Sequence, residues 1–221
     1  MTNQLRPDAV IDLLGVLAYA ELTAFVRVAA DAELAPTVPA KAALGRIAVT
    51  EFAHFEALVA ALEDRGADPE QAMRPFVAAI DAFHARTTPS DWLEGLVKAY
   101  VGEGIATDFY REVAEYVDPG TRDLVNQVLV DTGHADFAVA AVRSAIERDP
   151  TVAGRLALWG RRLVGEALSQ AQRVAADRDA LTQIMVAAPG APGADLVEIG
   201  RMFNRLTEAH AERMRRLGLT S

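Results

Sequence analysis

The chain has 221 residues, enough for one large domain or a domain with an appendage. Hydrophobic residues make up 51% and aromatics 6%, and alanine is abundant, a balance that suits close-packed helices better than sheets. Cysteine is absent, which excludes disulfides, zinc ribbons, thiolate-held clusters and cysteine nucleophiles and leaves His and carboxylates to hold any metal. The net charge of −9 is uneven: residues 1–150 carry 12 basic against 24 acidic side chains, whereas residues 151–221 carry 10 arginines against 7 acids. So acidic a chain is a poor general binder of nucleic acid, with local binding left open to its basic C-terminal part.

In chain order, a first helix is expected from Pro7 to about Asp31, with proline in its first turn. Asp8, Asp12 and Glu21 interrupt its apolar run and no basic segment precedes it. Neither a signal peptide nor a membrane span is expected, and a cytoplasmic protein is the default. Two prolines between Leu34 and Pro39 separate it from a second helix, about Ala40 to Arg65, stopped by Gly66. Asp68-Pro69-Glu70 opens a shorter helix reaching about Ala85. A third long helix spans roughly Asp91 to Tyr116. After the Asp118-Pro119-Gly120 turn a fourth runs to about Arg148, and after Asp149-Pro150 a fifth ends near Arg178. A short apolar piece, Ala180 to Ala187, leads into a linker, Pro189 to Gly193, and an amphipathic helix, about Asp195 to Leu217, follows. No window alternates as a strand does. The expected fold is all-α: a four-helix bundle with a crossover helix between its two pairs and two additional C-terminal helices. Residues 1–187 are read as the bundle, and 188–221 as linker and amphipathic helix packed on it.

Two i,i+3 pairs stand out: Glu51 with His54 on the second helix, and Asp131 with His134 on the fourth. Spacing of three places both side chains on one helix face, where carboxylate and imidazole can chelate one ion. Glu21 and Glu103 stand alone on the other two long helices. Each acid falls within its helix's apolar stripe: Leu14, Leu17 and Phe25 around Glu21, Leu44, Ile47 and Leu58 around Glu51, Leu96 and Tyr100 around Glu103, Leu124 and Val128 around Asp131. Burying an unpaired carboxylate costs several kcal/mol, so four such burials approach the whole stability of a domain. Cations must compensate them, and no Lys or Arg of these helices shares those faces. The four acids lie about 11 to 14 residues into their helices, so an antiparallel bundle brings them to one central layer. Four carboxylates and two imidazoles suit two divalent ions. A bundle with an empty or single-metal site is the plain alternative. His84 and His210 are left out of the site, the first as partly exposed and the second as facing solvent among Glu208 and Glu212. Gly102 and Gly104 bracket Glu103, where mid-helix glycines cost about 1 kcal/mol each relative to alanine; close helix packing or a π-bulge would account for them.

The order E…ExxH…E…(D/E)xxH resembles the ferritin-like dinuclear iron superfamily, over about residues 10–178. Within it the chain is similar to the tRNA hydroxylase group (MiaE-like), which hydroxylates the isopentenyl chain of a modified adenosine with dinuclear iron and dioxygen. The resemblance implies Glu21, Glu51, His54, Glu103, Asp131 and His134 as ligands of two iron ions, with manganese using the same ligand types. Asp131 stands where a glutamate is usual. Thr107, one turn beyond Glu103, matches a threonine that such monooxygenases place over the oxygen-binding side; otherwise it bonds back to its own helix. The implied activity is an oxygen-dependent hydroxylase fed by an external reductase, and the alternative is a non-catalytic ferritin-like metal-binding protein or a ferroxidase. The arginines of the last two helices, among them Arg155, Arg161, Arg162, Arg205, Arg213 and Arg216, are candidates for touching tRNA; otherwise they form a solvated face or a dimer contact. A monomer or homodimer is expected.

Overall fold

The computed structural model describes residues 7–129, 134–177 and 196–220. Every long regular element among them is an α-helix: α1 (Pro7–Asp31), α2 (Val38–Glu63), α3 (Pro69–Arg86), α4 (Trp92–Ala114), α5 (Pro119–Val128), α6 (His134–Arg148), α7 (Val152–Asp177) and α8 (Leu196–Leu217). The expected piece Ala180–Ala187 and the linker Pro189–Gly193 lie outside the described residues.

Local chemistry sets the helix starts. A side-chain oxygen accepts from a free first-turn N–H, and proline sits where its missing N–H is not needed. Thr37 caps α2 through Ala40 N (3.3 Å), Asp68 caps α3 through Glu70 N (2.9 Å) and Asp118 caps α5 through Thr121 N (3.0 Å). Asp91 caps α4 through Glu94 N (2.9 Å), and Glu94 reaches back to accept from Ser90 N (2.8 Å). Gly66, at φ 71°, provides the left-handed residue that ends the turn after α2.

The apolar interior divides into two clusters. One joins Leu13, Leu14 and Leu17 of α1 to Leu58 and Leu62 of α2, Phe76 of α3, Val113 of α4 and Val125 of α5. The other joins Leu44 and Ile47 of α2 to Leu96, Val97 and Val101 of α4, Val142 of α6, Leu156 and Leu163 of α7, and Met214 and Leu217 of α8. The order of residues between the clusters gives the topology. α1 runs from the first cluster toward the second and α2 returns; α3 crosses back, α4 repeats the direction of α2, and α5 with α6 completes the circuit. This is the expected bundle with its crossover. Of the expected fourth helix, α5 ends at Val128 and α6 is described from His134, and residues 130–133 lie outside the described residues.

By length and composition, α1 is apolar enough to cross a membrane, despite the acids that interrupt it. In this fold it is instead the core helix, with Leu14, Leu17 and Ala18 fully buried. The crossover helix lies so close that a β-carbon at Gly15 would fall on the carbonyl oxygen of Ala72. Backbone cannot yield as a side chain would, so Gly15→Ala is expected to cost about 1–3 kcal/mol, as overpacking does. Denaturant unfolding checks this, and an unchanged midpoint would show that the two helices separate freely.

Candidate metal centre

The polar layer lies between the two apolar clusters. Glu21 of α1 is 9% exposed and Glu51 of α2 is 5% exposed. His54, one turn beyond Glu51, completes a group whose three ligand atoms all lie within 4.8 Å of one another. His54 Nδ1 stands 3.4 Å from Glu21 Oε2, and that oxygen is buried with no hydrogen-bond partner. Among the described residues, no Lys or Arg pairs with Glu21 or Glu51.

Burial dominates the electrostatics of the pair. It lifts Glu21 up to about 7, with a hydrogen bond from Glu51 opposing the rise and the charge of Glu103 adding to it. It lifts Glu51 up to about 9, helped by the hydrogen bond to Glu21 and by the negative charge of Glu21, and opposed by His54. The two carboxyls therefore share a proton when nothing else neutralises them. Tyr110 is close enough for the charge of Glu21 to add to the burial that pushes its phenol up. The donor set of two carboxylates and an imidazole, one oxygen of it without a partner, fits a hard or borderline divalent ion such as iron, manganese or zinc.

Of the six expected ligands, the structure brings together Glu21, Glu51 and His54, and sets Glu103 within electrostatic reach of Glu21. Asp131 lies outside the described residues, and His134 is the first residue of α6, with its side chain not described. Glu103 is not enclosed in an apolar stripe as expected. It is exposed and lines a cavity of about 230 Å³ together with Thr107, Tyr100 and Leu96. The same cavity is lined by Leu129, just after α5, and by Ala135 of α6.

Three arginines on the cavity wall were not evident from the sequence: Arg111 of α4 and Arg213 and Arg216 of α8. The signal was Gly104. A β-carbon there would stand 2.5 Å from Arg213 Cδ and 2.7 Å from its Nε, so the glycine makes room for a side chain from another helix. α4 is uninterrupted α-helix from Trp92 to Ala114, which leaves close packing, not a π-bulge, as the reason for that glycine. His210, expected to face solvent, is half-buried on α8, with a buried Nδ1 and its basicity lowered by burial and by Arg213.

A family model described as a ferritin-like domain of actinomycetes matches residues 5–188. The chain belongs to that ferritin-like family. Among solved structures it is similar to "Protein 19 with aldehyde deformylating oxidase activity from Synechococcus", with a TM-score of 0.70 and 23% identity. That likeness covers 96% of this chain and 90% of the other, and it shows a shared fold. No curated protein sequence matches the chain. The ferritin-like bundle is thus where Glu21, Glu51 and His54 converge, and α8 falls beyond the family match.

In the metal-free protein both carboxyls titrate above their ordinary value of 4.5. The stability they contribute is therefore complete below about pH 4.5 and is lost as pH rises through about 7 and then 9. Melting of metal-free protein is expected to weaken across that window, and Glu51→Gln to flatten the slope. Equal slopes in parent and variant would show that the pair is not buried without compensation.

Proposed function

We propose that this ferritin-like chain is an oxygen-dependent, non-haem dinuclear iron oxygenase. The observation that carries the reading is the buried Glu21–Glu51–His54 group, which holds acids without a cationic partner beside a cavity bearing Glu103 and Thr107. Glu21, Glu51 and His54 would hold one side of the centre, and Glu103, Asp131 and His134 would complete it. When bound, iron supplies the activation of dioxygen for attack on a C–H bond. The chain's own part is more limited. Glu51 and Glu21 give up their shared proton as a cation enters. The apolar clusters on either side exclude water and keep the ligands in place. Thr107, which lines the cavity with Glu103, would hydrogen-bond the molecule that occupies that space. Electrons would come from a separate reductase.

The aldehyde deformylating oxidase activity named for the Synechococcus protein favours oxidase chemistry on an aldehyde. A tRNA substrate, which the MiaE-like resemblance implies, has less support from the arginines. Arg155 pairs with Asp91 and Glu94, Arg205 with Glu112, Arg213 with Asp108 and Arg216 with Asp136. Arg161 and Arg162 donate to backbone carbonyls of Thr220 and Arg86. The second reading is a ferritin-like protein that binds metal without turnover, and the same buried group supports it.

Protein produced with added iron is expected to hold about two equivalents, and the paired replacement Glu51→Ala with His54→Ala to lose most of the metal. Elemental analysis checks both. Less than one equivalent of any transition metal sinks the iron centre. Full metal without oxygen consumption by the reduced protein selects the second reading.

A further inference from the structure

α2 turns Leu44, Glu51 and Leu58 into the bundle and leaves its opposite side uncovered among the described residues. Val49 is 69% exposed there and Phe52 37%, and α1 adds Val26 at 50%. The Phe52 ring lies 5.0 Å from that of Phe25, the neighbour of Val26, so the apolar surface continues across both helices. Contiguous apolar surface on a folded chain marks contact with another molecule. Gly45 lies on the same side, where a β-carbon would meet nothing within 4 Å. A mid-helix glycine weakens its helix relative to alanine, and packing among the described residues gives no reason for this one.

Steps of three and four residues keep to one helix face. The exposed face of α2 follows them from Ala42 through Arg46, Val49 and Ala53 to Glu56 and Ala60. Read outward from the level of Glu51, this stripe is balanced: Val49 and Ala53 lie two residues either side, Arg46 and Glu56 five, Ala42 and Ala60 nine. A twofold axis at that level, relating two antiparallel α2 helices, sets Arg46 of each copy level with Glu56 of the other and Val49 level with Ala53. A parallel arrangement would instead set Arg46 against Arg46. Within one chain the two charges are about 15 Å apart along the helix and cannot meet. Neither has an ion-pair partner among the described residues, whereas Arg155, Arg205 and Arg213 each hold an acid of another helix.

We infer that the exposed face of α2 is a homodimer interface: a second copy packs antiparallel across a twofold axis level with Glu51, with Val49 and Phe52 at its centre and an Arg46–Glu56 pair between copies at each end. Gly45 lets the partner helix approach closely, and Phe25 and Val26 widen the apolar contact. Buried Glu51 points the opposite way, into the bundle. The interface therefore braces the ligand-bearing helix from behind and takes no part in holding metal, so this inference is independent of the oxygenase reading.

Sedimentation equilibrium of the full chain over a concentration series tests this, and a dimer is expected. Arg46→Glu and Glu56→Arg each set two like-charge pairs across the axis, and each should raise the dissociation constant at least about tenfold. Mixing the two variants in equal amounts should restore the dimer, because opposite charges then meet at both ends; no contact within one chain gives that recovery. Val49→Asp, which buries a charge at the centre of the interface, should leave a monomer with unchanged helix content by circular dichroism. A parent that stays monomeric throughout the series, a dimer that both charge reversals leave intact, or weakening without recovery on mixing overturns the inference. So does a monomer that melts lower with Val49→Asp, which shows the face to be covered within its own chain. A monomer that sediments with phosphatidylcholine vesicles overturns it as well, in favour of a membrane contact.

Discussion

The structure depends on a pair of carboxyls buried where the apolar interior is interrupted. Glu21 and Glu51 sit between two hydrophobic clusters, each of which would be simpler to build if it were continuous. Leucine at either position would join the clusters and remove the desolvation cost. The acids instead hold one proton between them and leave an oxygen without a partner. Such an arrangement is tolerable only because the clusters above and below fix the helices firmly enough to resist rearrangement. It becomes favourable when a cation replaces the proton.

Much of the rest serves to keep that layer in register. The caps at Thr37 and Asp91 start α2 and α4 at defined residues, which sets how far along those axes Glu51 and Glu103 lie. A shift of one residue would turn a ligand by about 100° and move it about 1.5 Å. The crossover helix is clamped to α1 at Gly15 and to α4 by Lys98, whose buried Nζ donates to the Thr87 carbonyl at 2.7 Å. α7 is tied to the start of α4 by Arg155, which pairs with Glu94, and by Trp159 Nε1, which donates to the carbonyl of Glu94 at 2.9 Å.

Helix starts were legible in the sequence because they rest on local chemistry, a capping oxygen followed by proline or glutamate. The Glu21–Glu51–His54 group was legible for a related reason: i,i+3 spacing and an acid in an apolar stripe are properties of single helices. What was lost depends on contacts between segments distant in the chain. Nothing near Glu103 announces that its side of α4 borders a cavity, since that follows from where the α5–α6 pair runs. The arginines of α7 and α8 read as a basic surface, whereas most of them hold acids or carbonyls of other helices. Gly104 was noticed as an anomaly, but its partner lies more than a hundred residues away.

That partnership bears on why α8 is present. Glu103 and Gly104 are neighbours in sequence and so point about 100° apart on α4. Glu103 lies within electrostatic reach of Glu21, and Gly104 faces Arg213 of the appended helix. α4 therefore packs on two sides, against the bundle and against α8. With Met214 and Leu217 buried against the second apolar cluster, α8 packs beside the cavity and adds two guanidiniums to that of Arg111 on α4. α8, which lies beyond the family match, thus adds Arg213 and Arg216 to a cavity whose other lining residues all fall within it.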